Sequence, residues 1–478
     1  MSDLAKALTD AADVVGADRV RAGGDVGPNS GLFRSRPVGA VIRPRSADEV
    51  RRLVEVFSRS ADSGSLHAIS TGRNWGLGSR EPARDDAIVL DLGELAEVRA
   101  MDVDAGWAVI EPGVTQGRMA ELLAGTSRMV NVTVSTAHSS VVGNMLDRGV
   151  GLRHQRTEDL LGLEVVLPGG EVLRVGWWPE DGRVTPVYPH GIGPSALGLF
   201  LQSNLGIVTA AAIRLLPRPE ALRAVRLTFR PERFGAAVEE LRRWHHQGLA
   251  RGVLKVYNAA AARGYGITGG DYLAHVCVDG TAAAVEALTG VLVAEAQGSD
   301  VFTEVSATDA TDPGSPHHAV GVSVEQAYWG DPDVTDRLFE NKMGLPASEV
   351  DSRIGFLFFL PLVPFTVDAL VRADGFLREV AERTGVHCGG TLNAISADVI
   401  DFVITIRFDR DSGAETAHRA LDLLHELFTG AGFLPYRLDV DHADLVDALS
   451  PDAPARAFTR RLKDLLDPNR AIAPGRYR

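Results

Sequence analysis

The run Ser70-Thr71-Gly72-Arg73-Asn74-Trp75-Gly76-Leu77-Gly78-Ser79 constrains this chain more than any other, because it sets three glycines within seven residues between a helical segment and the strand-like stretch 87–92. Glycine has no Cβ and takes positive φ freely, so successive backbone N–H groups here can turn inward and approach an anion closely. The run reads as a phosphate cradle. Its spacing is neither Gly-x-Gly-x-x-Gly nor Gly-x-x-x-x-Gly-Lys-Ser/Thr, so the dinucleotide and Walker readings lack their patterns. A tight helix-to-strand turn would use the same residues. The rest of the sequence has to decide between the two.

Ser46-Ala47-Asp48-Glu49 has the spacing of a capping box, with Ser46 as N-cap and Glu49 reaching back. Val50, Leu53, Val54 and Phe57 then repeat at i, i+3, i+4 and i+7, which predicts a helix with one buried face. Short β-rich runs follow at 87–92, 98–103 and 107–110, and 163–175 reads as a hairpin turning at Pro168-Gly169-Gly170. From about Arg223 the pattern changes. Ala- and Leu-rich helices at 234–246, 282–297, 367–384 and 414–429 alternate with strands at 254–257, 354–360 and 402–408, predicting a second α+β unit with an antiparallel sheet. Leu216-Pro217-Arg218-Pro219 is the expected crossing point, since proline breaks both helix and sheet. Residues 306–316 are the most loop-like stretch and read as a surface excursion. A chain of 478 residues exceeds one ordinary core. The expected division is 1–218, 219–439 and a C-terminal segment 440–478 that returns to the first unit.

A net charge of -14 argues against general affinity for nucleic acid or anionic membranes, which would repel such a surface. The only two cysteines, Cys277 and Cys388, have neither metal-ligand spacing nor the density of a disulfide scaffold. No metal site is expected. No stretch approaches eighteen uninterrupted apolar residues, and the first residues lack a basic then apolar leader, so a cytoplasmic protein acting on a small molecule is expected.

Four more segments share the small-residue character of the opening run: 111–115, 137–144, 147–151 and 202–209. In order and spacing the five resemble the vanillyl-alcohol oxidase and para-cresol methylhydroxylase family, as does Leu466-Asp467-Pro468-Asn469 through Pro474-Gly475 near the C-terminus. The resemblance implies a two-domain α+β flavoprotein, with FAD in the first unit and an α+β cap over the flavin. It implies cofactor contacts from Ser70, Thr71, Gly72, Arg73, Asn74, Trp75, Gly76, Gly78 and Ser79, and from Pro112 and Gly113. Ser139, Ser140, Gly143 and Asn144 would form a second wall along the ribityl chain and pyrophosphate, extended by Asp147 and Gly149. Gly206, Ile207 and Val208 either face the adenine or flavin edge or simply begin a structural strand.

The family's reaction is hydride transfer to flavin N5 from a carbon bearing, or conjugated to, oxygen, and the cofactor carries the hard chemistry. Tyr436-Arg437 resembles the family's phenolate-gripping pair, in which a cation lowers the phenol pKa and a tyrosine hydroxyl donates to the oxygen. Three positions depart from the family. Leu77 stands where a second tyrosine is expected, and Ser135 stands where the oxidase has an aspartate beside N5. The aromatic stretch after Gly151 becomes basic, placing Arg153 and His154 either in a pocket wall for a polar or acidic substrate or on a solvent-exposed loop. His138 either faces the flavin as a base or is hydrogen-bonded within a turn. The family's flavin-tethering histidine falls on Asp401, and no cysteine lies near 135–140, so FAD is expected to be noncovalent, with Tyr328 the candidate for a tyrosyl link. The leading expectation is an FAD-dependent oxidase or dehydrogenase of a phenolic or related hydroxylated compound, passing electrons to O2 or another acceptor, with a homodimer possible. A flavin oxidase of an aliphatic alcohol, hydroxy acid or sugar is the second reading, and a non-catalytic flavoprotein that sequesters a small molecule is the third.

Overall fold

A computed structural model describes residues 2–73, 75–179, 185–450 and 452–477, so Asn74 lies outside the described residues. Ser46 Oγ accepts the Glu49 N–H at 3.1 Å and starts the helix Ala47–Phe57. The Glu49 carboxylate, however, accepts from the Arg45 N–H at 2.6 Å and from both ends of the Arg19 guanidinium at 2.8 and 2.9 Å. The bidentate pair with Arg19 draws it one residue past the cap, leaving the box half made. Val50, Leu53, Val54 and Phe57 are fully buried against a four-stranded sheet. In that sheet Val38–Ile42, Ala87–Asp91 and Leu66–Ile69 run parallel, and Val20–Ala22 is the antiparallel edge.

A second, antiparallel sheet takes the order Val98–Asp102, Trp107–Ile110, Ile207–Arg214, Leu160–Val166, Val172–Gly176. Its last pair is the expected hairpin, with Val166 opposite Val172. Leu216–Pro217, read as a break in structure, instead forms a two-residue ladder with Arg128–Met129. Proline is tolerated there because it sits at an edge.

The third sheet has eight strands, all antiparallel. Its main path is Glu304–Ala307, Ala221–Phe229, Tyr272–Gly280, Leu254–Tyr257, Gly389–Ala394, Val399–Phe408, Gly355–Phe359, and Leu362–Pro364 pairs with Val399–Phe408. The helices Phe234–His246 and Val367–Thr384 match their predicted bounds, and Ala282–Gly298 and Ala414–Gly430 run one residue longer. The strand Glu304–Ala307 takes the first residues of the stretch read as a loop, and Pro316 opens the helix Pro316–Tyr328. Ser306 pairs with Arg226, so the excursion is in part a sheet edge.

Side chains alternate across this sheet. Leu227, Val276, Val256, Leu392 and Ile404 face the helices in one apolar core. The register sets Arg226 opposite His275, His275 opposite Lys255, Lys255 opposite Asn393 and Asn393 opposite Asp401, a polar row along the other face.

Far along the chain, the Leu66 N–H donates to Ala471 O at 2.6 Å and the Ala473 N–H to Leu66 O at 2.8 Å. The buried Lys463 ammonium fixes this join, donating to Asn204 O, Ile472 O and the Asp467 carboxylate at 2.5 to 2.8 Å. The fold is mixed α+β. Among the described residues no helix is long and apolar enough to cross a membrane.

Candidate functional site

A cavity of about 410 Å³ lies between the glycine-rich loops on one side and the polar face of the eight-stranded sheet on the other. Ligand sites typically span about 300–1,000 Å³. On the loop side Thr71 Oγ1 accepts the Ser140 N–H at 3.2 Å, tying two of the sequence segments together. Ser140 Oγ donates to Pro112 O at 2.6 Å and accepts the Gly143 N–H at 2.8 Å, capping the short helix Val141–Leu146. A Cβ at Gly143 would crowd Ser70 Oγ, so glycine leaves this part of the wall open without displacing that hydroxyl. Ser135 and Ser139 share a hydrogen bond of 3.0 Å at the cavity surface. Ser70, Thr71, Gly72, Arg73, Trp75, Leu77 and Ser79 line the cavity, as do Pro112, Asn144, Asp147, Gly206, Ile207 and Val208.

Other members of the predicted set lie elsewhere. Of the opening run's glycines only Gly72, at φ +67°, lines the cavity. Gly76 and Gly78, at φ +75° and +64°, press against the large sheet and its following loop. Gly76 O accepts the Phe358 N–H at 2.9 Å, and a Cβ on Gly78 would lie 2.6 Å from Val440 Cγ1. Gly113 is needed because the backbone of Gly93 and Leu95 passes over it, and Gly149 because the Asn144 amide does. His138 is exposed and outside the cavity, so the structure does not present it as a base toward that space. Arg153 is ion-paired with Asp279, and His154 bonds Asp159 at 2.7 Å, so the basic stretch is held by acids within the fold and is not among the residues lining this cavity. Burial works against the charged His154 ring, but the hydrogen bond and charge of Asp159 prevail and raise its pKa. Tyr328 is buried away from the cavity, its hydroxyl donating to Val253 O at 2.5 Å.

Tyr436 and Arg437 do line it. The Tyr436 N–H donates to Leu360 O at 3.2 Å and its carbonyl accepts from Gln202 Nε2 at 2.8 Å, so this dipeptide bridges the large sheet and a cofactor-side loop. The Arg437 guanidinium lies 5.4 Å from the Tyr436 ring centre and donates through Nε to Asp147 O, leaving Nη2 buried without a partner. Burial, reinforced by Asp401, raises the Tyr436 phenol well above its ordinary range.

The opposite wall was not anticipated as a unit. The polar row brings Lys255, Asn393 and Asp401 to the cavity, and the next row brings Tyr257, Thr391 and Val403. Lys255 Nζ donates to Asn393 Oδ1 at 2.6 Å, and Asn393 Nδ2 donates to Asp401 Oδ2 at 3.2 Å. Burial pushes Lys255 down to about 8, opposed by Asp401 and aided by the Lys342 charge, and pushes Asp401 up to about 6 against Asn393, Arg437 and Lys255. Lys342, also at the cavity, is pushed down to about 8 by burial and the nearby Arg407 charge. The sequence did carry a signal. In Leu254-Lys255-Val256, Leu392-Asn393-Ala394 and Ile400-Asp401-Phe402, one polar residue stands between apolar ones at strand period, marking a face that meets something other than core.

The cavity's chemistry fits a large anionic ligand. Thr133 Oγ1, Arg437 Nη2 and Arg476 Nη1 are buried, lack partners and line it, as does Asp401 Oδ1. Buried polar groups are normally hydrogen-bonded, and these donors sit beside a loop wall kept open by Gly72 and Gly143. The residues present therefore suit the diphosphate and polar ring edge of a flavin dinucleotide.

Comparison with known proteins agrees. Residues 38–176 match the family described as FAD binding domain. The chain is 30% identical over 508 aligned residues to the 1'-carboxy-chondrochloren decarboxylase of Chondromyces crocatus, covering 92% of this chain and 90% of that protein. It is 31% identical over 198 residues to the 4-cresol dehydrogenase (hydroxylating) flavoprotein subunit of Pseudomonas putida, covering 40% and 38%. The fold superposes on p-cresol methylhydroxylase with substrate bound at a TM-score of 0.86 and 21% identity, covering 99% of this chain and 96% of that one.

Proposed function

Because the chain belongs to the vanillyl-alcohol oxidase and para-cresol methylhydroxylase family of FAD-linked oxidases, we propose that it oxidises a phenolic or related hydroxylated small molecule seated against the cap wall. The observation that carries this reading is the buried, unpartnered Arg437 Nη2 beside the Tyr436 ring. A guanidinium with a spare N–H favours the deprotonated form of a bound phenol, and that anion is the better electron donor. FAD, when bound, supplies the two-electron acceptor.

The chain's own residues would do the rest. Gly72, Ser139 and Gly143 leave room and donors for the diphosphate. Arg437 and the Tyr436 hydroxyl hold the substrate oxygen. Asp401 Oδ1 is unpartnered, and its carboxyl, raised to about 6, can accept the substrate hydroxyl proton. That would give the cavity the carboxylate it lacks at Ser135. The flavin is proposed to be noncovalent, since the Tyr328 hydroxyl is engaged by Val253 and no cysteine lines the cavity among the described residues. The acceptor of the flavin's electrons is proposed to be O2 or another oxidant.

A second reading is favoured by the decarboxylase relative that spans most of the chain: the substrate carries a carboxylate, lost as CO2. Release of CO2 from a carboxylated phenol under turnover tests this second reading, and anaerobic titration of the purified flavoprotein tests the first. Bleaching of the flavin by para-alkylphenols supports the first reading, and bleaching by sugars or aliphatic hydroxy acids alone overturns it. Acid precipitation tests the attachment: a yellow supernatant is expected, and a yellow pellet would mean a covalent flavin.

A further inference from the structure

The cap wall carries more positive charge than the oxidation of a simple phenol requires. Lys255 is only 8% exposed, and its ammonium has three N–H donors, of which one is engaged, by Asn393. It makes no ion pair with Asp401, because the Asn393 amide stands between them in the row. Lys342, half-buried on the helix Pro332–Met343, has no hydrogen-bond or ion-pair partner for its ammonium among the described residues. Lys342 lies close enough for Lys255 to feel its charge, both side chains line the same cavity, and Arg407 adds a third cation beside Lys342. Asp401, at the other end of the row, faces Arg437 and Tyr436. His275 beside Lys255 is neutral, held down to about 3 by burial, so it supplies no counter-charge. Burying like charges together without an anion is costly.

We infer that Lys255 and Lys342 form a carboxylate-binding subsite in the cap wall, at the opposite end of the polar row from Arg437, so that the substrate is a phenol or related hydroxylated compound bearing a carboxylate. This rests on the reading that such a compound occupies the cavity. A carboxylate offers about four acceptor sites and can bridge two ammonium groups. The Lys255 ammonium and the Asp401 carboxylate are joined through the single Asn393 amide, by hydrogen bonds of 2.6 and 3.2 Å, so both ends of the row lie within reach of one small molecule in the cavity. Anion binding would also return both lysines to the charged form above pH 8.

The matched probes are 3-(4-hydroxyphenyl)propanoate and 4-propylphenol, which share the phenol and differ in the terminal carboxylate. Binding is followed by flavin absorbance and by calorimetry at pH 8.5 in buffers of different ionisation heat. The acid is expected to bind at least about tenfold more tightly than the alkylphenol, with net proton uptake. Lys342→Met, which loses no partner within the fold, should erase both the advantage and the uptake while leaving 4-propylphenol within about twofold, and Lys255→Met, which also frees Asn393 Oδ1, should likewise erase the advantage. No carboxylate advantage, or equal weakening of both probes by the substitutions, would overturn the subsite. 3-Phenylpropanoate separates the two readings. Binding that depends on Lys342 but not Arg437, with no binding of 4-propylphenol, keeps the subsite and removes the phenol.

Discussion

The two walls of the cavity are built in opposite ways. The loop wall uses residues close together in sequence, acting through backbone N–H groups, hydroxyls and missing side chains, as in 70–73 and 139–143. The cap wall uses one polar side chain from each of three strands, Lys255, Asn393 and Asp401, on backbone locked into a ladder. Adding atoms to the first disturbs its shape, because a Cβ at Gly143 would crowd Ser70 Oγ and force that hydroxyl to move. Exchanging a side chain in the second changes charge and hydrogen bonding while the sheet stays put. On the proposed reading, a fold divided in this way would keep its cofactor fixed and leave its substrate open to change.

The sharpest test of this division is Gly143→Val. It should weaken FAD retention by at least about a hundredfold, the scale of a few kcal/mol from overpacking, while cooperative unfolding of the apoprotein survives. Flavin-to-protein absorbance after gel filtration reads the outcome, and full retention would break the contrast. From the other wall, Arg437→Ala should weaken phenol binding about ten- to a hundredfold with FAD retained. Equal loss of both would make Arg437 structural, through its bond to Asp147 across the cavity.

A subtler consequence concerns pH. Lys255 titrates near 8 in the folded chain against an ordinary 10.5, so between those values the unfolded state binds the extra proton and stability rises with pH. Chemical denaturation across pH 8 to 10.5 should show this rise in the wild type and a flatter profile in Lys255→Met. Smallest of all is His138→Ala. The exposed ring belongs to neither wall, so flavin retention and bleaching rate should change by less than about twofold.

The same contrast explains what could be read in advance. The loop wall's segments are contiguous, so their order along the chain was enough to point to FAD and to Ser70, Ser139 and Gly143. Their glycines look alike in sequence, yet Gly76, Gly78, Gly113 and Gly149 answer to neighbouring backbone and side chains, which only packing reveals. Arg153 and His154 misled for a similar reason: a local cluster of positive charge gives no sign of Asp279 and Asp159 waiting in the folded chain. The cap wall needed register. Of its three strands, 254–257 was read with matching bounds, Val399–Phe408 was read only from 402 and so without Asp401, and Gly389–Ala394 was not read; nothing local says that Lys255 lies opposite Asn393.

The join at Leu66, finally, sets a clock on the making of this protein. Its partners at 471–473 are roughly 400 residues downstream, and the neighbouring Arg476 and Tyr477 line the cavity. At about 5–20 residues per second, the ribosome needs on the order of 20–80 s to travel from one side of the join to the other. For that interval the glycine-rich loops exist without their closing wall. Until then the cavity lacks Arg476, whose Nη1 is one of its buried, unpartnered donors.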